Sequence, residues 1–236
     1  MNNIRTSASA IARLLRRFGS RVRDDGTSPR GSTSDLPLTE REQLIQRLLS
    51  TIHNNSILLR GDPGSGKTSM LLHLKERLSE ACDPATEFFP VYIDLHRVPE
   101  QQLFKTVARA VSEQLALAPT PRPFQQAGGA GFDSSHRELA RFLRSVMRLL
   151  SERRHKSVRL VLLVDGIDEL NDYTPRTTQK VRSLFMASLG GSLVMVATAV
   201  KIDRQWEQEG SPWYNFFEEI EVTPLDREPE PASHPG

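Results

Sequence analysis

The chain is poor in cysteine, in aromatic residues and in long apolar runs. Cys82 is the only cysteine among 236 residues, which excludes an intrachain disulfide and a cysteine-built metal centre. A single thiol fits a reducing compartment, so the cytoplasm is the expected location, with organelle targeting kept as the alternative. No apolar stretch approaches the roughly 18 residues that a membrane-spanning helix needs. The strongest, Leu160–Val164 and Leu193–Val200, have the length of strands. Net charge is also small: 31 basic and 29 acidic side chains leave +2, which argues neither for nor against nucleic acid.

Acids are missing altogether from Met1 to Arg23, where six arginines accompany Ile4, Ala8, Ile11, Leu15, Phe18 and Val22 at helical spacing. Three readings stay open: a surface tail, a helix lying on an anionic membrane or docking a partner, and an organelle transit peptide. The segment lacks the apolar stretch of a secretory signal. Asp24–Leu38, rich in Gly, Ser, Pro and Asp, reads as a linker, so residues 1–38 are expected to be an Arg-rich helix and flexible linker. The imbalance reverses from Glu207 to Glu230, where Arg227 is the only base. Residues 227–236 are expected to be disordered.

What is present is an alternation of strand and helix signals over residues 39–226. Thr39 and Glu42 have capping-box spacing for a helix from Glu40 to about Ile52. Ser56–Arg60, Pro90–Leu95, Leu160–Val164, Leu193–Thr198 and Glu219–Val222 read as strands. Thr68–Glu80, Gln101–Leu117, Ser134–Arg154 and Thr177–Leu189 read as helices. Ala118–Asp133, with three prolines and three glycines, reads as a flexible insertion. The alternation predicts a parallel, three-layer α/β domain.

The segment Gly61-Asp62-Pro63-Gly64-Ser65-Gly66-Lys67-Thr68 satisfies the pattern G-x-x-x-x-G-K-S/T, after a strand and before a helix. Its glycines let backbone N–H groups approach phosphates, and the following helix start adds partial positive charge. Lys67 should reach the β- and γ-phosphates, and Thr68 should give its hydroxyl to Mg²⁺. Gly61, Asp62, Pro63, Gly64, Ser65, Gly66, Lys67, Thr68 and Ser69 are the expected nucleotide-binding residues. An apolar strand ending in Asp165 supplies a carboxylate that must be solvated, paired or bound to metal, so Asp165 joins Thr68 as the expected metal pair.

Asp168 and Glu169 follow. Glu169 is the favoured group to orient and polarise the attacking water, with Asp168 as metal-shell support or co-base. The alternative is that both cap the next turn. Thr198 ends the fourth strand, where ligand-facing groups of a parallel sheet gather. It is expected to bond the lytic water or the γ-phosphate, unless it is an ordinary polar strand end.

Together these residues resemble the P-loop ATPases of the AAA+/STAND class, and within it the NACHT-like ATPases. Leu59-Arg60-Gly61 through Thr68 resembles their Walker A segment, and Val164-Asp165-Gly166-Ile167-Asp168-Glu169 the D-G-x-D-E form of Walker B. Arg41-Glu42 is similar to the start of that module, Val91–Leu95 to its second strand, and Ile220–Leu225 to its fifth strand with a Pro-Leu exit. The resemblance implies a five-stranded parallel sheet in the order 5-1-4-3-2, ATP or GTP as ligand, and nucleotide-governed self-association. The sequence departs from the pattern in lacking the helical lid after strand five. Ala199-Val200-Lys201 stands where many relatives have Ser-Arg-Pro. No arginine lies between Gln205 and Asp226, which leaves Arg204 as the candidate finger.

Three functions follow as expectations. The first is a Mg-ATP-binding regulatory ATPase of slow turnover that controls self-association or a partner protein. The second is a DNA-associated AAA+-like ATPase, whose only basic core patch is Arg153-Arg154-His155-Lys156. The third is a nucleotide-binding scaffold without significant hydrolysis.

Overall fold

A computed structural model of the chain describes residues 40–53, 55–81, 83–117, 132–152, 155–187 and 191–223. The arginine-rich segment, the linker, Thr39, Cys82, Arg153, Arg154 and the C-terminal tail lie outside the described residues. So does most of the expected insertion, although its last residues already belong to a helix.

Helix α1 (Glu40–Thr51) leads into β1 (Ser56–Arg60), followed by α2 (Lys67–Glu80) and β2 (Thr86–Asp94). Then come α3 (Leu103–Gln114), α4 (Phe132–Ser151), β3 (Ser157–Asp165), α5 (Pro175–Ala187), β4 (Leu193–Ala199) and β5 (Phe217–Glu221). The five strands pair in parallel in the order β2-β3-β4-β1-β5. Read from the other edge this is 5-1-4-3-2, the expected topology of a three-layer P-loop NTPase.

The apolar strands are continuous because both faces of the sheet are covered. Side chains alternate, so Ile57, Leu59, Val161, Leu163, Val194 and Val196 meet α1 and α2 through Ile45, Leu48, Leu71 and Leu74. Leu58, Leu160, Leu162, Val164, Met195 and Ala197 face the opposite way, toward α3, α4 and α5. Among the described residues no helix is long and apolar enough to cross a membrane.

Strand β2 begins four residues before the expected Pro90, which lies within it. The reason is that β2 is an edge strand. Tyr92 turns its backbone N–H and C=O away from the sheet, and both are taken by the side-chain amide of Gln114, at 2.9 and 2.6 Å. Pro90, two residues earlier, presents its nitrogen to the same open edge, where no ladder bond is lost. The amide of Gln114 thus closes an edge that another chain could otherwise extend. Gln114→Ala is expected to cost about 1–3 kcal/mol by leaving these two groups unpaired, a loss that urea denaturation would register.

Strand β3 likewise starts earlier than Leu160, because its nine residues pair along the whole of β2. Strand β5 starts two residues before Glu219 and ends one before Val222, in register with β1 from Ser56↔Phe217 to Arg60↔Glu221. The expected helix from Gln101 begins as a 3-10 turn at Glu100–Gln102, and α3 takes over at Leu103.

Candidate nucleotide-binding site

The P-loop leaves β1 at the carboxyl edge of the sheet and enters α2. Gly64 and Gly66 adopt φ of +82° and +93°, in the left-handed region that L side chains seldom occupy. Gly61 has a different reason to be glycine. A Cβ there would run into the Val222 carbonyl oxygen, which itself lies just past β5. Against Gly66 sits the guanidinium of Arg41, which would be struck by any side chain at 66. Arg41 thereby joins α1 to the loop, and the adjacent Glu42 pairs with Arg77 of α2 at 3.2 Å.

Lys67 is buried, with 8% of its surface exposed. Its Nζ donates to the carbonyl oxygens of Gly61 and Asp62 at 2.7 and 2.8 Å, and to Ser65 Oγ at 3.4 Å. The ammonium's three donors are thus used within the loop. A triphosphate would offer the same donors charged oxygens instead of neutral carbonyls.

Opposite the loop, Asp165 ends β3 with 4% exposure and gathers three hydroxyls. Thr68 Oγ1 donates to Oδ2 at 2.8 Å and Tyr92 Oη to the same oxygen at 2.9 Å. Thr198 Oγ1 donates to Oδ1 and accepts from Gly166 N at 3.0 Å. Burial and the Asp165 hydrogen bond push the Tyr92 phenol well above its ordinary pKa, so it remains a donor. Thr198 stands at the expected strand end, but its hydroxyl is turned inward to brace Asp165 and Gly166. That arrangement makes it a positioning group for the carboxylate.

The two further acids occupy a 3-10 turn, Ile167–Asp172. Neither carboxylate caps that turn. Asp168 Oδ2 accepts from Val200 N at 3.3 Å, at the exit of β4. Glu169 Oε1 accepts from Arg97 N at 2.9 Å, beyond the exit of β2. The acids are therefore tethered to the strands on either side of β3. Arg204 lies in a 3-10 turn, Arg204–Glu207, with an exposed side chain.

Three side chains at this edge escaped the sequence reading. Tyr92, Asp94 and His96 alternate with apolar Val91, Ile93 and Leu95, a period-2 signal running up to the site. Asp94 is register partner to Asp165. Asp94 Oδ1 accepts from both the backbone N and the Nδ1 of His96, at 2.9 and 2.7 Å. The Asp94 bond raises the His96 pKa above its ordinary value against the opposing effect of burial, and the charges of Asp94, Asp165 and Asp168 add to the rise.

A parallel sheet in this order, with a P-loop reaching an acid on β3, defines a P-loop NTPase fold. The family comparison agrees. Residues 37–195 match the AAA ATPase domain, and the chain belongs to that family. Among solved structures it is similar to the Orc1 protein of Aeropyrum pernix in complex with DNA, at 19% identity and TM-score 0.54. That match covers 82% of this chain and 47% of the other. Cdc6p of Pyrobaculum aerophilum is 22% identical over 83% of this chain and 48% of its own, with TM-score 0.50. The Walker-type ATPase of Pyrococcus abyssi is 16% identical over 85% and 58%, with TM-score 0.54. The chain thus spans about half the length of these structures, and the likeness is one of fold. None of the curated proteins matches it.

Proposed function

We propose that this chain is a Mg²⁺-ATP-binding regulatory ATPase of the NACHT-like kind, whose nucleotide state governs self-association or contact with a partner protein. One observation carries the reading: the hydroxyl of Thr68, on the P-loop helix, meets the buried carboxylate of Asp165 at 2.8 Å. This pair offers only oxygen donors, one of them anionic, which suits Mg²⁺. Thr68 and Asp165 would hold the ion, which when bound would neutralise charge across the β- and γ-phosphates.

The chain's own groups divide the remaining work. Backbone N–H groups of Gly64 to Lys67 cradle the phosphates at the start of α2. Lys67 exchanges its loop carbonyls for phosphate oxygens. Glu169 orients the attacking water once it leaves Arg97 N, with Asp168 beside it. The tethering of both acids to neighbouring strand exits supports slow, controlled turnover.

The test is ATP turnover and particle mass for wild type, Lys67→Ala and Glu169→Gln, with and without DNA. Wild type should assemble on Mg-ATP, Glu169→Gln should stay assembled with turnover reduced about 100-fold, and Lys67→Ala should do neither. Wild type that neither hydrolyses ATP nor changes mass on binding it would sink the reading. DNA-stimulated turnover would instead favour a DNA-associated ATPase, and tight binding without turnover a scaffold.

A further inference from the structure

The P-loop supplies a cation, Lys67, on one side of the site. The other side is built from acids: Asp94, Asp165, Asp168 and Glu169 all stand at the exits of β2 and β3. A triphosphate entering this rim brings several negative charges toward four carboxylates. Mg²⁺ bound by Asp165 and Thr68 would offset part of that repulsion, but the outermost phosphate oxygens would still need a donor facing Lys67.

His96 stands on this acidic side of the site, two residues past Asp94 and with its ring against Gly166. Asp94 Oδ1 holds both its backbone N–H and its Nδ1, at 2.9 and 2.7 Å, so the ring is clamped by its own strand. Nε2 is then the nitrogen left for a ligand. The ring lies on Gly166, the residue that follows the metal-side acid. A Cβ at 166 would stand 2.9 Å from both Cε1 and Nε2. Gly166 also takes a left-handed φ of +73°, so glycine here provides both the turn after Asp165 and the space for the imidazole.

We propose that His96, braced by Asp94, donates from Nε2 to the terminal phosphate of the bound nucleotide and so makes the site read a triphosphate over a diphosphate. The proposal rests on the Mg-ATP reading of the site. Its chemistry is that of a charge-assisted hydrogen bond from an imidazolium to a phosphate oxygen. The Asp94 carboxylate that accepts from Nδ1 favours the protonated ring that such a donor requires. Asp94 acts through the ring and is a positioning residue.

The experiment is titration calorimetry of Mg-ATP and Mg-ADP into wild type, His96→Ala and Asp94→Asn. His96→Ala should weaken ATP by about tenfold and leave ADP unchanged. Asp94→Asn should weaken ATP less and also spare ADP, because the ring stays but its clamp is loosened. His96 is exposed, so the variant should fold, and unchanged ADP affinity reports that directly. If His96→Ala weakens both nucleotides equally, or neither, while wild type binds ATP, the proposal is overturned and the reading of the site stands. Wild type that binds neither nucleotide overturns both.

Discussion

Lys67→Ala is expected to lower Mg-ATP affinity by about 100-fold or more while the protein stays folded. Its ammonium makes two strong hydrogen bonds, to the carbonyls of Gly61 and Asp62. Exchanging them for bonds to phosphate oxygens adds full opposite charge. Two such bonds at about 1.5–3 kcal/mol each correspond to roughly two to four decades of affinity. The folded protein without nucleotide loses less, because Asp62 is exposed and water can replace the ammonium at its carbonyl. Calorimetry with Mg-ATP, alongside a urea melt, separates the two effects. An affinity within a factor of about three of wild type would mean that the loop is not the phosphate cradle.

Asp165→Ala should be the most disruptive single change at the site. It removes the acceptor of three hydroxyls at once, those of Thr68, Tyr92 and Thr198. Thr198 is 1% exposed, so its hydroxyl cannot turn to water, and Tyr92 is half-buried. Unsatisfied buried donors cost about 1–3 kcal/mol each, which places the loss near 3–5 kcal/mol, the upper end for a point substitution. Asp165→Asn keeps the shape and an acceptor oxygen, and its cost should be about 1–2 kcal/mol. The two variants should agree in one respect: neither should show the Mg²⁺ requirement expected of wild-type ATP binding. Urea midpoints that match wild type for Asp165→Ala would show that the hydroxyl cluster contributes nothing.

The parts of this site that could be read from sequence are the contiguous ones. Gly61 to Thr68 carries its chemistry in a single turn between a strand and a helix, so spacing alone exposes it. Asp165 shows itself as a charge closing an apolar strand. Strand order followed from the resemblance, and the sheet bears it out. The unread parts depend on register between distant segments. His96 matters only because β2 runs beside β3 with Asp94 opposite Asp165, a pairing across 71 positions that no local pattern announces. Arg41 was legible as the start of a helix, but its seat on Gly66 depends on how α1 packs against α2. Thr198 was placed at the right strand end, yet the direction of its hydroxyl required the buried carboxylate beside it. The boundaries of β2 were misjudged for a physical reason as well. Proline normally argues against a strand interior, and Pro90 is acceptable there because its nitrogen faces the open edge of the sheet.

The most direct test of the central claim is titration of wild-type protein with ATP in the presence and absence of Mg²⁺. The account predicts one nucleotide bound per chain, with tight binding only when Mg²⁺ is present and Lys67 and Asp165 are intact. Binding that is indifferent to Mg²⁺ and survives both substitutions would contradict it, as would a wild-type protein that binds no ATP.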